Sequence, residues 1–555
     1  MNKIYSISHN KLHFKHPIKL LLITISIYLV MNASSINAAT FTVLNTNDAG
    51  TGSLREAIGF VNSAPGANTV NFIDTLDGQT IILTSGQIDI TSAASTNVDA
   101  STLATGITVS GNNTSRIFGE TIGQQLTINN LTLTNGITTG NTPDNSSSSL
   151  NCSNSGIGTF SRGGAICTVG SLVLIDTIIF NNSTLGEHAY GGGFYTFGDS
   201  QLINSTVYSN STLGYNSNGG GFYSNGNTTL NNSLVDNNNT SGRFADGGGF
   251  SARNVATLNN STVSGNSTTN DHSNGGGFTA SLRAILTNSI VSGNFTTAYG
   301  SDGGGFESTG NNTIITNSII SGNSTRGFSA HGGGFVVYTQ TTLINCTVFG
   351  NSTSGHLSEG GGFDANDDMT LINSTVSGNS TGGDNANGGG ISAHNNTMLS
   401  NSTISDNNTT GENSQGDGII VRDDLTLNST IVSGNGTNNF TTSIGDLINA
   451  SNSLLGDPEV EITGINTNNI FDNSPLLAPL ADNGCAIMAG VSGMQACVQT
   501  NALQNNSPAL DTGIANGLVF DQRGEGYYRQ ENGQTDIGAF EHSIYIMFND
   551  GFENL

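Results

Sequence analysis

Three apolar columns recur through residues 163–435 at a fixed step. The first is Ile166, Phe194, Phe222, Phe250, Phe278, Phe306, Phe335, Phe363, Ile391 and Ile419, each entered through a glycine-rich step. The second runs from Leu174 and Leu202 to Leu399 and Leu427, and the third from Ile179 and Val207 to Ile404 and Val432. Successive copies are 28 residues apart, with one interval of 29. A period of this size marks a solenoid or an array. Inside the unit the apolar positions are spaced 8, 5 and 15 apart, which fits neither a helical stripe nor a heptad. Short runs of Thr, Val, Ile and Phe bounded by Gly, Asn and Ser are strand signals. The pattern predicts an all-β chain, a parallel β-helix with about three short strands per 28-residue coil. At an inter-strand spacing of ~4.8 Å the ten copies would stack to roughly 50 Å. A β-propeller blade needs about 40 residues, so the unit is too short for one.

The polar positions carry the same period. Asn204, Asn232, Asn260, Asn288, Asn317, Asn345, Asn373 and Asn401 stand two residues after the second column. Another set, from Asn210 through Asn266, Asn323 and Asn379 to Asn435, stands three after the third. Asn tolerates the left-handed conformation and bonds nearby backbone, so both sets are expected at corners.

The step GGAI (163–166), the GGGF copies and the V-x-x-N steps such as Val263 to Asn266 resemble the GGAI and FxxN repeats of chlamydial-type polymorphic outer-membrane proteins. The resemblance implies a right-handed parallel β-helix displayed at a cell surface and engaged in adhesion. That family ends in a membrane β-barrel. Here about 120 residues follow the array without a train of alternating ten-residue strands, so the barrel does not carry over.

The ends are of other kinds. Lys3, Lys11, Lys15 and Lys19, the apolar run Leu20 to Met31 and the small residues ending in Ala38-Ala39 read as a secretory signal over residues 1–39. Residues 40–160 are expected to be a cap and irregular coils. There Ser53 and Glu56 form a capping box, and Leu54, Ile58 and Val61 one apolar face, of a short helix that closes the first coil. Ser53-Leu54-Arg55-Glu56-Ala57 resembles the SLREA segment of exported bacterial β-helix proteins, with Gly52 where that family has Cys. The regular array spans 161–436, and 437–543 reads as closing coils and a cap. Within it the motifs at 507–513, 521–524 and 536–541 resemble the choice-of-anchor segment of exported proteins. Asp521, Arg523, Arg529, Asp536 and Glu541 are expected to pair as ions there. Residues 544–555 resemble a short DGFE-type sorting tail.

Charge narrows the partners. All four lysines lie in the export signal, so the remaining chain has 10 Arg against 40 Asp plus Glu, a net charge of −30. Such a surface repels nucleic acid and anionic lipid. With no span long enough for a bilayer in the processed chain, a secreted or surface-held monomer is expected. Of five cysteines, Cys485 and Cys497 bracket an 11-residue loop and are expected to form a disulfide. Cys152 and Cys167 can form a second, and Cys346 is a spare buried thiol.

Three function classes follow. A binding scaffold would use the variable segment before each glycine step, where one column includes Tyr215, Arg243, Tyr299, Phe328 and His356 and another Tyr190 and His331. A rigid repeat that varies along one edge is how solenoids present ligand surfaces, here to a glycan or a surface protein. A polysaccharide lyase or hydrolase would need converging carboxylates, and Asp367-Asp368 with Asp423-Asp424, two coils apart beside Arg422, are the candidates. The outward threonines Thr206, Thr262, Thr347, Thr375 and Thr403 resemble an ice-binding ladder, interrupted by Leu234, Ile290 and Ile319. The nonapeptide calcium pattern and a periodic histidine column are both missing from the sequence, so no cofactor is expected and calcium has no motif behind it. Non-catalytic binding is the preferred function and glycan cleavage the alternative.

Overall fold

The computed structural model describes residues 38–140, 152, 161–443, 445–457, 460–484, 497–531 and 533–542. Most of the expected export signal, Cys485 and residues 543–555 lie outside the described residues. The chain is a parallel β-solenoid. Each regular coil lays down a strand beginning at the Phe position (Phe194–Thr196), one through the Leu position (Ser200–Ile203) and one around the Val position (Thr206–Tyr208). Stacking gives a Phe sheet of 13 strands, a Leu sheet of 16 and a Val sheet of 15. A fourth sheet of ten two-residue strands, such as Ser211–Thr212, forms a corner that the apolar pattern does not announce.

Register follows the period. Phe194 pairs with Phe222, Leu174 with Leu202 and Val207 with Val235. The one 29-residue interval enters between Phe306–Ser308 and Thr313–Thr316. The extra residue is held in that turn, so Ile315 still pairs with Leu286 and Phe335 with Phe306. Seven Phe rings from Phe194 to Phe363 stack inside the prism, with centroids 4.4 Å apart at the first step and 4.8 Å at most of the others.

The two Asn sets do different work. Asn204, Asn260, Asn317 and Asn401 are left-handed at the Leu-to-Val corner, with φ of 47–49°, a conformation Asn adopts at little cost. The second set points inward. Asn294, buried, accepts from Asn266 N, and its Nδ2 donates to Asn323 Oδ1 at 3.0 Å and to Val263 O at 2.9 Å. This pattern continues from Asn182 to Asn435, satisfying amides that would be costly to bury unpaired. A serine ladder runs beside it, and Cys346 takes one of its places with Sγ 3.1 Å from Ile344 O. Burial pushes that thiol up to about 12, and it is the free cysteine.

Helix α1 (Leu54–Ser63) buries Leu54, Ala57, Ile58 and Val61. It packs against Thr40–Val43 and Ile88–Ile90, the first strands of the Leu and Phe sheets, and so covers edges that would otherwise be open to pairing. Ser53 Oγ accepts from Glu56 N and Glu56 Oε2 accepts from Gly52 N at 2.6 Å. Arg55 bridges Asp48 Oδ1 at 2.6 Å and the Gly86 and Gln87 carbonyls at 2.7 Å. Partial burial pushes the Asp48 carboxyl up, but hydrogen bonds from Ser85, Arg55 and Thr84 outweigh it and hold the group below the usual range.

The segment 497–542 is more than an end cap. It folds back along the Val sheet. Gln522 bonds Thr347 Oγ1 and Thr375 Oγ1, and Ala539 N donates to Thr403 Oγ1. Those three threonines are therefore buried, which removes the exposed ladder that ice binding would need. The expected ion pairs hold the strap together. Arg523 lies 2.6 Å from Asp521 Oδ2, with its guanidinium between the Tyr527 and Phe540 rings. Arg529, fully buried, reaches Asn373 Oδ1 at 2.9 Å and Gly538 O at 2.5 Å, with Glu541 at 3.8 Å.

Candidate binding edge

The loop between the corner strand and the next glycine step is the variable part of each coil, and it is held firmly. Thr212 Oγ1 donates to Ser217 O, and Thr240 and Thr296 hold Ala245 and Ser301 in the same way. The loop tips are also laced to each other. His188 N donates to Tyr215 O, Asn216 N to Arg243 O, Phe244 N to Asp271 O and His272 N to Tyr299 O, all at 2.9–3.1 Å. The residue that donates takes a left-handed φ, 54° at His188, 57° at Phe244 and 52° at His272. Asn216 and Gly300 occupy that place comfortably. Ser329 and Leu357 take the same conformation in later coils, with φ of 51° and 58°.

What this geometry assembles is a ladder of rings. His188 meets Tyr215 edge-on at 5.7 Å, Tyr215 meets Phe244 at 5.8 Å, and Phe244 stacks on His272 at 5.1 Å. The series continues through Tyr299 at 5.3 Å, Phe328 at 5.7 Å and His356 at 5.3 Å. Seven rings thus follow one another along seven coils. Tyr215, Tyr299 and Phe328 are 47%, 50% and 45% exposed, and Arg243 lies 5.0 Å over the Phe244 ring. Apolar rings with polar rims, exposed in a row, suit a sugar chain or a protein surface.

The other candidates fall elsewhere. Tyr190 stacks on Tyr223 at 4.8 Å and on Tyr195 at 6.5 Å, over the Phe sheet beside the Cys152–Cys167 disulfide. His331 faces the same sheet, its backbone N on Asp302 Oδ1 at 2.7 Å and its Nδ1 accepting from Glu359 N. Cys497 is disulfide-bonded, and its expected partner Cys485 is outside the described residues. The acidic pairs are turn residues. Asp367 and Asp368 accept from Asn395 and Asn396 of the next coil, and Asp424 accepts from Leu447 N. Arg422 turns away from them and grips Glu359 with Nη2 at 2.6 and 2.7 Å.

That clamp belongs to a small network. His394 Nε2 lies 3.1 Å from Asp364 Oδ1 and 3.9 Å from Glu359 Oε2. Glu359, Asp364 and His394 are the group among the described residues whose atoms could hold a metal, lying within 4.8 Å of one another. Arg422 already supplies the positive charge there, so the cluster closes on itself as an ion network.

No family model and no curated protein matches the chain. Among solved structures, pectate lyase Pel9A aligns over 92% of this chain and 98% of its own, at 15% identity and a TM-score of 0.29.

Proposed function

We propose that the chain is an exported, surface-held or secreted scaffold that binds a glycan or a surface protein along its ring ladder, without catalysis. The observation that carries this is the run of seven rings along successive loop tips, with Tyr215, Tyr299 and Phe328 about half exposed. The tightly laced loop tips add a second support, because a preorganised surface loses little entropy on binding. The export-signal features and the likeness to polymorphic outer-membrane repeats fit a surface role.

The test is a glycan array and a cell-surface binding screen with the chain and its Tyr215→Ala/Tyr299→Ala/Phe328→Ala variant. These side chains are half-exposed, so the variant should unfold at the same temperature while binding falls at least tenfold. Undiminished binding would remove the edge from consideration. Release of unsaturated or reducing ends from an acidic polysaccharide would contradict the non-catalytic reading.

A further inference from the structure

The outer face of the Phe sheet carries a cavity of about 260 Å³. It is lined by Tyr223, Asp246, Ser251, Arg253, Thr279 and Glu307 among others. This is just under the ~300 Å³ at which pockets for drug-sized ligands begin, so it suits one small ring.

Glu307 takes an outward strand position where neighbouring coils have Tyr223, Ser251 and Thr279. It is 8% exposed. Its Oε1 accepts from Asn274 Nδ2 at 3.0 Å, and its Oε2 has no hydrogen-bond partner among the described residues. Asn274 also donates its backbone N–H to Asp246 Oδ1 at 2.9 Å, and Asn218 Nδ2 reaches Asp246 Oδ2 at 3.5 Å. One asparagine therefore ties two carboxyls to the same cavity. Burial pushes Asp246 up to about 6. Burial also raises Glu307 well above its ordinary value, with Asp246 and Asp302 adding to it. The other charged groups on this face are Asp302, with His331 and Tyr338 against it, Asp364, and Arg253, whose Nη1 donates to Asn225 Oδ1 at 3.0 Å.

A buried carboxyl without a cation either keeps a proton or recruits positive charge. A metal ion needs several converging ligands, and Asp246 and Glu307 are not part of the one such group found among the described residues. A cation whose body offers hydroxyls matches the rest of the lining, Ser251, Thr279 and Tyr223. We propose that this cavity binds one amino-sugar unit, with its ammonium between Asp246 and Glu307 and its hydroxyls against the hydroxyl-bearing wall. The residues that line the cavity are not those of the ring ladder.

Glucosamine is the probe, and glucose its neutral counterpart, titrated calorimetrically into the full chain. Binding of glucosamine at pH 7 should weaken at pH 5, where Asp246, pushed up to about 6 by burial, takes up its proton and the amine stays charged. Glucose should give no saturable heat, and Glu307→Gln should lose at least tenfold in affinity with an unchanged unfolding temperature. Equal binding of glucose and glucosamine would overturn the proposal, as would a stronger response to calcium chloride or affinity unmoved between pH 7 and pH 5. The pH comparison uses the unsubstituted protein, so it decides the matter even if the variant misfolds.

Discussion

At the scale of single residues, the same amino acid serves two unrelated ends. Asn317 sits at a corner with φ 49°, and glycine is as tolerant of that geometry. Asn323 is inside, with its Oδ1 accepting from Asn294 and its Nδ2 donating to Val291 O and Asn351 Oδ1 at 2.9 Å. Asn317→Gly keeps the backbone geometry and removes only the part-buried bond from Asn345 Nδ2, so it should cost no more than ~1 kcal/mol in urea unfolding. Asn323→Ala takes away the oxygen to which both Asn294 N and Asn294 Nδ2 donate, and should cost ~1–3 kcal/mol. Equal losses for the two would mean the inward ladder is not the structural device described. The sequence places both sets in periodic columns but does not tell them apart, since only the direction of the side chain separates a corner from a ladder.

At the scale of elements, the strands with apolar residues were legible and the others were not. Phe, Leu and Val columns predict three sheets, whereas Ser211–Thr212 and its equivalents have two residues and no alternation to read. The ring ladder was half legible. Tyr215, Tyr299, Phe328 and His356 share one column, but Phe244 and His272 belong to the adjacent one, and the contacts zigzag between the two. Reading neighbouring columns together would have found them. The pocket carboxyls escape for the same reason, with Asp246 before the glycine step and Glu307 after it, two coils on. The strap over the Val sheet has no period at all, and its partners in the coils are 60–176 residues away in sequence. Arg529 anchors it from full burial with Glu541, itself pushed up to about 8 by burial and then by Asp536. Arg529→Ala removes the charged hydrogen bonds to Asn373 Oδ1 and Gly538 O, a loss of ~1.5–3 kcal/mol for each. Limited proteolysis should then cut within 497–542 first and spare the array. Cleavage spread evenly through the repeats would show that the strap is not a separable layer.

At the scale of the whole molecule, each coil contacts its neighbours and the core lengthens with every copy, so local losses stay local. Disruption of the α1 cap by Ser53→Ala should cost ~0.5–2 kcal/mol. That loss should appear as faster hydrogen exchange over residues 40–110, with residues 250–400 unchanged. The same arrangement makes the ring ladder a rigid ruler, with one loop tip per coil on a strongly acidic body. A strongly acidic surface disfavours nucleic acid and anionic lipid, so in the proposed reading the rings are the attracting feature.

Hydrogen exchange on the chain bound to a captured glycan or cell-surface partner tests the central claim most directly. The account predicts slowed exchange at the successive loop tips 186–189, 214–217, 242–245, 270–273, 298–301, 327–330 and 355–358. Protection confined to the Val sheet or the C-terminal strap, with those tips unchanged, would contradict it.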